Sequence, residues 1–212
     1  MKIRRDIKQR TPDWDIAKLG KISSSHAKRI ITPKEWKYSA SAKPYMAELI
    51  AERLTGEPTA GGPMSRDMLH GVEFEPMARS NFAFCLDADI EEVGGIESDD
   101  GRLWISTDGL IDGGREVVEL KCPKLVTHIL YMLRPELLLE EYACQCHFYL
   151  LFPEIERVRL RSYAPELPPV DHVVERDDFT AALAAAVEKF DAELTAAMAR
   201  INKLREVPAC TE

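Results

Sequence analysis

The strongest constraint on the fold lies between residues 87 and 123, where three short segments rich in β-branched residues are separated by glycines. Segments of this kind are typical of strands in an antiparallel meander. Helical periodicity precedes them at residues 42–55 and 65–86, and it is clearest at residues 177–205. One further strand is predicted at residues 156–165. This order of elements predicts an α/β (α+β) protein with a central mixed β-sheet flanked by helices.

The helix predicted at residues 65–86 contains Pro76, which removes one backbone hydrogen bond and tends to kink a helix. The sequence therefore predicts either a bend at Glu75 or a new helix that begins there. The buried stripe of this helix is predicted to consist of Met68, Val72 and Ala83. The preceding residues 56–63, rich in glycine and proline, predict a loop.

The two C-terminal elements have distinct patterns. In the strand at 156–165, Val158, Leu160 and Ser162 alternate with three arginines, which predicts a half-exposed strand with its arginines on the outer face. The helix at 177–205 begins after a candidate N-cap at Asp177 or Asp178. Its predicted buried stripe consists of Phe179, Leu183, Val187, Phe190 and Leu194.

The last two segments of the meander bring together the strongest candidates for chemistry. Asp108 ends one strand, and Glu119-Leu120-Lys121 lies on the next, after a turn that contains Gly113-Gly114. Because alternate residues of a strand point to the same face, Glu119 and Lys121 project together, and Leu120 points into the core. The hairpin therefore places Asp108 beside Glu119 and Lys121.

Two carboxylates in this arrangement repel each other, and one pKa rises unless a cation lies between them. Mg²⁺ is a hard cation with oxygen ligands and suits phosphate chemistry. A lysine beside such an ion orients or deprotonates water and neutralises charge that develops on the phosphate. A bare Glu-x-Lys motif is more often a surface pair on an ordinary strand, but Asp108 and the adjacent Cys122-Pro123 favour the catalytic interpretation.

Charge is distributed unevenly along the chain, whose net charge is −8. Residues 1–43 contain twelve Lys or Arg and four Asp or Glu, whereas the remainder contains sixteen and thirty-two. This asymmetry indicates an anion-facing N-terminal part on an acidic body, although a charged surface with no partner explains it equally well on charge alone. No apolar run approaches the ~20 residues of a membrane helix. The basic N-terminus lacks the apolar stretch of a secretory signal, so we expect a cytoplasmic protein with no membrane partner.

The five cysteines form an odd set in a chain that is not small, and this favours reduced, buried thiols over a disulfide framework. Cys144-x-Cys146-His147, with Cys122 near it in the fold, also suggests zinc. The spacing differs from that of a zinc knuckle, and one tight cluster on a helix does not surround an ion tetrahedrally. Buried thiols are the preferred interpretation.

The residues from Ser106 to Leu110, followed by Val118-Glu119-Leu120-Lys121-Cys122-Pro123, resemble the active site of the lambda-exonuclease and YqaJ-like viral recombinase family, within the PD-(D/E)xK nuclease superfamily. Thr107 stands at the position of the motif's proline, which is often absent in the superfamily. Further segments that resemble the family, in the same order, are Trp14 with Lys18-Leu19-Gly20 and Ile22 to Ser25, Gly71 to Glu75 with Ala78-Arg79, and Tyr142 to Gln145.

This resemblance implies a restriction-endonuclease-like core and a role for each matching residue. Asp108, Glu119 and the Leu120 backbone carbonyl would hold Mg²⁺, Glu75 would hold a second ion or its water, and Mn²⁺ is a possible substitute. Lys121 would activate or position the attacking water. The residues implied to bind the DNA end and its 5′-phosphate are Lys18, Ser25, Ser106, Gln145 and Trp14.

One implied position departs from the family, because Lys18 stands where the family has a phosphate-binding arginine, and lysine lacks the bidentate fork of a guanidinium. Purely structural interpretations also exist for several of these residues. Glu75 suits a solvated helix face, Ser25 a helix cap, Gln145 a core amide and Trp14 a core aromatic.

The resemblance further implies a 5′-to-3′ exonuclease that degrades one strand of linear double-stranded DNA to mononucleotides and leaves 3′ single-stranded overhangs for phage-type recombination. It implies a homotrimer and, as partner, a single-strand annealing protein in the cytoplasm of a bacterial host cell. Two alternatives remain: a structure-specific or sequence-specific endonuclease on the same fold, and a catalytically inactive module that binds DNA ends or proteins. The expected organisation is one nuclease domain over 1–212, with a DNA-end-binding segment at about 1–43, a catalytic core at about 44–165 and the C-terminal helix.

Overall fold

The computed structural model describes residues 1–59 and 64–206, and these residues form six α-helices and eight strands. The helices are α1 (Pro12–Lys18), α2 (Ala42–Thr55), α3 (Arg66–Leu86), α4 (Leu125–Leu133), α5 (Glu136–Tyr149) and α6 (Asp178–Arg205). The strands are β1 (Lys2–Arg4), β2 (Ile22–Ser23), β3 (Gly95–Glu97), β4 (Leu103–Ile105), β5 (Gly109–Ile111), β6 (Glu116–Lys121), β7 (Arg157–Ala164) and β8 (Leu167–Val174).

The strands form two mixed sheets, with helices packed around them. One sheet has the order β1-β3-β4-β2, in which only β2 and β4 are parallel. The other has the order β5-β6-β7-β8, in which only β6 and β7 are parallel. The predicted α/β class is confirmed, but the strands divide between two sheets where the sequence predicts one.

The division between the sheets occurs at residues 106–108, where the chain leaves β4 and enters β5. Thr107 is buried at this crossover, and its hydroxyl donates to the Val118 backbone carbonyl at 2.9 Å. The next residue, Asp108, is thereby fixed at the start of the second sheet, where its backbone N–H donates to the same carbonyl at 3.1 Å. The crossover therefore determines where the candidate aspartate lies.

The predicted hairpin is present as β5 and β6, with Gly109 opposite Val118. The turn between them contains Gly113 with φ 67° and Gly114 with φ 100°, a left-handed conformation that glycine adopts without steric cost. Beyond the hairpin, β6 pairs in parallel with β7, so that Glu119 lies opposite Leu160. The candidate catalytic strand is thus an interior strand of its sheet.

Helix α3 is continuous through Pro76, and its N-cap Ser65 accepts from the Met68 backbone N–H at 3.2 Å. The predicted buried stripe is wrong, because Met68 is 57% exposed, whereas Ala78 and Phe82 are buried. These two residues pack against Val118 and Leu120 of β6. The helix is therefore anchored to the sheet through its C-terminal half, and this is why the stripe lies C-terminal to Pro76.

The C-terminal elements agree with the sequence in part. In α6 all five residues of the predicted stripe are buried, and Asp177 caps the helix through a capping box with Thr180. In β7 the prediction of exposed arginines is wrong at Arg161, which is buried and paired with the Asp171 carboxylate at 2.7 Å. Asp171 belongs to β8, a strand that the sequence did not predict.

Cys122, Cys144 and Cys146 are buried free thiols, but Cys85 is exposed, so the prediction of buried thiols is wrong there. Cys210 and part of the loop predicted at 56–63 lie outside the described residues. No helix in the described ranges combines the length and the apolar character needed to cross a membrane.

Candidate active site

A cleft of about 1040 Å³ opens between the N-terminal segment, α3 and the end of β6. Seven residues singled out from the sequence line it: Trp14, Lys18, Glu75, Asp108, Glu119, Leu120 and Lys121. The strand alternation expected for β6 is present, since Leu120 packs into the core beneath α3 while its two neighbours contact α5. The fold therefore gathers at one cleft residues that are as far apart in sequence as Trp14 and Lys121.

Asp108 is held at the floor of the cleft by the backbone of the adjacent strand. Its carboxylate accepts from the Leu120 backbone N–H at 2.7 Å. Burial raises the pKa of Asp108 well above its ordinary value, and the nearby negative charges of Glu119 and Glu75 add to this, against the smaller opposing effect of Lys121. The aspartate thus lies where excess negative charge accumulates, which is the condition for binding a cation.

Glu119 is 2% exposed, and hydrogen bonds satisfy both of its carboxylate oxygens. One oxygen accepts from the Gln145 side-chain amide at 2.7 Å and lies 2.5 Å from the Lys121 ammonium. The other accepts from the Tyr149 hydroxyl. Burial and the charge of Glu119 raise the pKa of Tyr149, so the phenol keeps its proton and remains a donor.

Lys121 lies between this network and the open cleft. Its ammonium is 4.2 Å from the centre of the Tyr142 ring, and it donates to the Gln145 side-chain oxygen at 3.4 Å. Burial alone would lower the pKa of Lys121, but the charges of Glu119 and Asp108 outweigh burial and raise it. The side chain is therefore a positive charge placed beside two carboxylates.

Glu75 reaches the cleft from α3 and is held by two arginines. Arg79, one helical turn later, donates to one carboxylate oxygen at 2.6 Å, and Arg10 donates to the other. Arg79 also donates to the Asp108 backbone carbonyl at 2.9 Å. Through Arg79, α3 and the start of β5 are fixed relative to each other, and Glu75 is held on the same side of the cleft as Asp108.

The donors in this cleft suit a hard divalent cation, because they are carboxylate and backbone oxygens around an excess of negative charge. Their present arrangement is dominated by ion pairs with Lys121, Arg10 and Arg79. Within residues 1–59 and 64–206, no three His, Cys, Asp or Glu side chains lie together as a ready group of metal ligands. A bound cation would therefore replace ion pairs that now hold the carboxylates.

The residues implied to bind a 5′-phosphate are not all in one place. Lys18 and Trp14 line the cleft, where the Lys18 ammonium lies 3.4 Å from the Trp14 ring centre and 3.0 Å from Asp15. Gln145 lies in the Glu119 network, below the cleft surface. Ser25 is exposed beside Ser23 and His26, and the Ser106 hydroxyl accepts from the Trp104 indole at 3.0 Å.

The cluster considered for zinc does not converge. Cys144 donates to the Ile31 carbonyl at 3.8 Å, and Cys146 is fully buried in the main core. The His147 ring is 2.7 Å from the Thr180 hydroxyl at the start of α6. These residues fill the interface between α5 and its neighbours.

Sequence reasoning missed Tyr149 and Arg10 as components of this site, and it named Arg79 only within the family resemblance, without a role. Tyr149 follows Tyr142 and Gln145 at a spacing that places all three on one face of α5, so helical periodicity contained this signal. Arg79 lies four residues after Glu75, the spacing of a helical ion pair. Arg10 carries no comparable signal, because its partner Glu75 is 65 residues away.

The chain matches a model of the YqaJ-like viral recombinase domain over residues 13–155. No curated protein shows significant similarity to it. Among solved structures, the alkaline exonuclease LHK-Exo from Laribacter hongkongensis is 29% identical, with a TM-score of 0.70, and the match covers 92% of this chain and 100% of that chain. LHK-Exo in complex with dAMP matches to the same extent.

A phage related exonuclease from Haemophilus somnus 129PT has a TM-score of 0.62 at 14% identity, with 84% of this chain and 96% of that chain covered. At that identity the likeness concerns the fold alone. The LHK-Exo match covers 92% of this chain and therefore extends beyond the family match, which covers residues 13–155.

Proposed function

Because the chain belongs to the family of YqaJ-like viral recombinase domains and is a deoxyribonuclease of the phage exonuclease type, we propose that it degrades one strand of linear double-stranded DNA from the 5′ end. The products are mononucleotides and a duplex with 3′ single-stranded overhangs. The catalytic residues of this proposal are Asp108, Glu119 and Lys121, with Glu75 as an additional carboxylate.

A single observation carries the proposal. On the floor of one cleft, Asp108 accepts from the Leu120 backbone at 2.7 Å, and the Lys121 ammonium lies 2.5 Å from the Glu119 carboxylate. Two carboxylates and a lysine side by side are the groups that phosphodiester hydrolysis requires: oxygen ligands for a cation and a positive charge for the phosphate.

The surrounding residues determine what each group does. The charges of Glu119 and Asp108 keep Lys121 protonated, so it acts as an ammonium that orients water and neutralises charge on the phosphate. Gln145 and Tyr149 fix Glu119 by donating to its two oxygens. Tyr142 closes one side of Lys121 and restricts where the ammonium can move.

Mg²⁺, for which Mn²⁺ is a possible substitute, is the proposed cofactor, and its chemistry is to lower the pKa of water and to stabilise charge on the phosphate oxygens. Asp108, Glu119 and the Leu120 backbone carbonyl are the proposed ligands of one ion, and Glu75 is the proposed ligand of a second. The support for this assignment is the hard-oxygen donor set and the raised pKa of Asp108.

The proposed substrate position follows the distribution of charge. The N-terminal segment contributes Lys18 and Lys21 to the cleft, and Trp14 lies with them. These side chains suit the 5′-phosphate and the terminal base pair of a duplex. A single-strand annealing protein is the proposed partner, since the 3′ overhang is its substrate.

We also propose a homotrimer, supported by an apolar surface on α4. The exposed large side chains of this helix are Leu125, Val126, Ile129, Leu130, Met132 and Leu133. Val126 and Leu133 are each 73% exposed. An apolar face of this kind is typical of a surface that another protein covers, and further copies of this chain are the proposed occupants.

The test is digestion of a linear duplex that has 5′-phosphates and a label on one 3′ end, in Mg²⁺ and in EDTA. We expect metal-dependent loss of the unlabelled strand from its 5′ end, shortening of the labelled strand only from its own 5′ side, and no cutting of a circular plasmid. Cutting of the circle would favour the endonuclease alternative. No cleavage with any divalent metal would contradict the proposal and favour the inactive module.

A further inference from the structure

Arg10 lies in the cleft but is not one of the proposed catalytic residues. It lines the same cleft as Glu75 and Asp108, and its side chain is 41% exposed, whereas that of Glu75 is 12% exposed. Its guanidinium contacts Glu75 through Nη2, and within the described part of the chain no other nitrogen of that group has a hydrogen-bond partner. Arg10 therefore presents free donors to whatever enters the cleft.

Hydrogen bonds of the two neighbouring side chains hold the backbone of Arg10 in place. The preceding Gln9 side chain donates to the carbonyls of Val93 at 3.0 Å and Thr107 at 2.6 Å, and Thr107 is the residue before Asp108. The hydroxyl of the following Thr11 caps α1 by accepting from the Trp14 backbone N–H, and it donates to the Lys8 carbonyl at 2.7 Å. The Gln9 contacts thus fix the position of Arg10 relative to Asp108, and the Thr11 contacts fix it relative to α1.

Between these anchors Arg10 has φ 62°, in the left-handed region that is uncommon for a residue with a side chain. Glycine would adopt this conformation without cost, yet an arginine stands here. Strained residues of this kind concentrate at binding and catalytic sites, where the surrounding structure maintains them.

Glu75 does not depend on Arg10 for its charge balance. Arg79 already donates to Glu75 at 2.6 Å and is itself held by the Asp108 carbonyl and by Glu92 at 2.9 Å. Arg10 adds a second cation to a carboxylate that has one. The Arg10 contact can therefore be given up without leaving Glu75 unpaired.

Lys18, by contrast, is engaged within α1. Its ammonium pairs with Asp15 at 3.0 Å and lies over the Trp14 ring. Lysine is in any case a point charge, whereas a guanidinium presents a planar fork that matches two phosphate oxygens. Arg10 is the cleft residue of the N-terminal segment that supplies such a fork.

We propose that Arg10 binds a phosphate of the DNA substrate, and that this phosphate and Glu75 compete for its guanidinium. This inference rests on the proposed function, because it places the substrate in the same cleft. When DNA enters, the Arg10 side chain exchanges the Glu75 carboxylate for the phosphate, and Arg79 alone then balances Glu75.

The test is duplex binding by fluorescence anisotropy, in a Glu119→Gln background so that binding is measured without cleavage. Arg10→Ala and Arg10→Lys are compared with Arg5→Ala. Arg5 is the matched control, because it lies in the same segment, pairs with the Glu91 carboxylate at 2.6 Å and is not among the residues that line the cleft. Melting temperatures verify that every variant is folded.

We expect Arg10→Ala to weaken binding about tenfold or more at low salt. The slope of a plot of log Kd against log salt concentration should decrease by about 0.9, which is the contribution of one phosphate contact. Arg10→Lys should restore the slope but only part of the affinity, since the charge remains and the fork does not. Arg5→Ala should leave the slope unchanged. An unchanged slope in folded Arg10→Ala would overturn the inference.

The competition is tested with Glu75→Gln. Removal of this carboxylate should tighten duplex binding more in the protein that retains Arg10 than in the Arg10→Ala protein, because only the former has a guanidinium to release. Equal changes in the two proteins would show that Glu75 and the phosphate do not compete, and would overturn that part of the inference.

Binding to two forms of the duplex identifies which phosphate Arg10 contacts. Measurements on the parent protein distinguish failure of this inference from failure of the proposed function. A larger loss on a 5′-phosphorylated duplex than on a 5′-hydroxyl duplex assigns Arg10 to the terminal phosphate, and equal losses assign it to an internal one. If the parent protein degrades linear duplex while Arg10→Ala binds normally, only this inference fails. If the parent neither binds nor degrades the duplex, the proposed function fails with it.

Discussion

Lys121 shows how much of the candidate site follows from the identity of single residues. Its nearness to Glu119 was predictable, because residues two apart on a strand share a face, and the hairpin turn predicted the nearness of Asp108. The contact of Tyr149 with Glu119 was not predictable in the same way, since it spans 30 residues and depends on how α5 packs on β6. Local periodicity thus predicts neighbours within an element, and packing determines the remainder.

At this scale we predict that Lys121→Gln reduces cleavage of linear duplex by about 10²- to 10⁴-fold while the protein stays folded. Glutamine retains a donor for Glu119 but not the positive charge, and Gln145 and Tyr149 still hold Glu119. Initial rates in Mg²⁺ and thermal melting are the measurements. Lys124→Gln is the control, because it also removes a positive charge from the cleft, at a side chain that is 61% exposed. Equal losses in the two variants would contradict the assigned role of Lys121.

Among the elements, those with strong periodicity were predicted best. Helices α2 and α6 begin and end close to the residues indicated by their caps and apolar spacing. Strand β8 was missed because Pro168 and Pro169 argue against a strand, and it tolerates them because it is the edge strand of its sheet. Arg161 was placed on the wrong face because its partner Asp171 belongs to that missed strand.

The contact between α5 and α6 predicts how stability changes with pH. Burial lowers the pKa of His147, with a weaker opposing effect from Asp177. The unfolded chain therefore takes up a proton at about pH 6.5, where the folded protein does not. This contribution to stability is complete above that pH and is lost as the pH falls through it towards the lower pKa of the folded state. Burial lowers the pKa of His26 as well, which acts in the same direction.

We expect the free energy of unfolding to fall below pH 6.5 by up to about 1.4 kcal/mol per pH unit for each such histidine. In urea titrations between pH 8 and pH 5.5, His147→Gln should show a shallower dependence than the parent protein. His172→Gln, which changes a half-exposed histidine on the edge strand, is the matched control. A dependence in His147→Gln as steep as in the parent would exclude His147 as its source.

For the whole molecule, the sequence predicted the α/β class but not the division into two sheets, because three residues between β4 and β5 suffice to redirect the chain. The structure shows where the uneven charge of the sequence lies. The basic N-terminal segment contributes Arg10, Lys18 and Lys21 to the cleft that contains the carboxylates. The apolar face of α4 had no sequence signal that separates it from a buried helix, because periodicity does not tell which protein covers an apolar face.

At the scale of the assembly, we predict that the unmodified protein has about three times the 24.0 kDa mass of one chain when measured by light scattering after gel filtration. A Val126→Glu, Leu133→Glu double variant should shift the mass towards a single chain, because both side chains belong to the exposed face of α4. Phe84→Glu is the control, since Phe84 is 86% exposed and belongs to α3, not to α4. A monomeric parent protein at all concentrations would contradict the trimer.

Pro76 has a mechanical consequence for the cleft. A proline at this position cannot donate to the carbonyl of Val72, so α3 lacks one rung of its hydrogen-bond ladder immediately after Glu75. The half of the helix beyond Pro76 packs against β6, whereas the first turn, residues 66–69, is exposed and contributes Asp67 and Met68 to the cleft. The missing hydrogen bond makes Pro76 the position at which α3 resists bending least. A bend at Pro76 would change the width of the cleft, while Glu75, next to the proline, would keep its place.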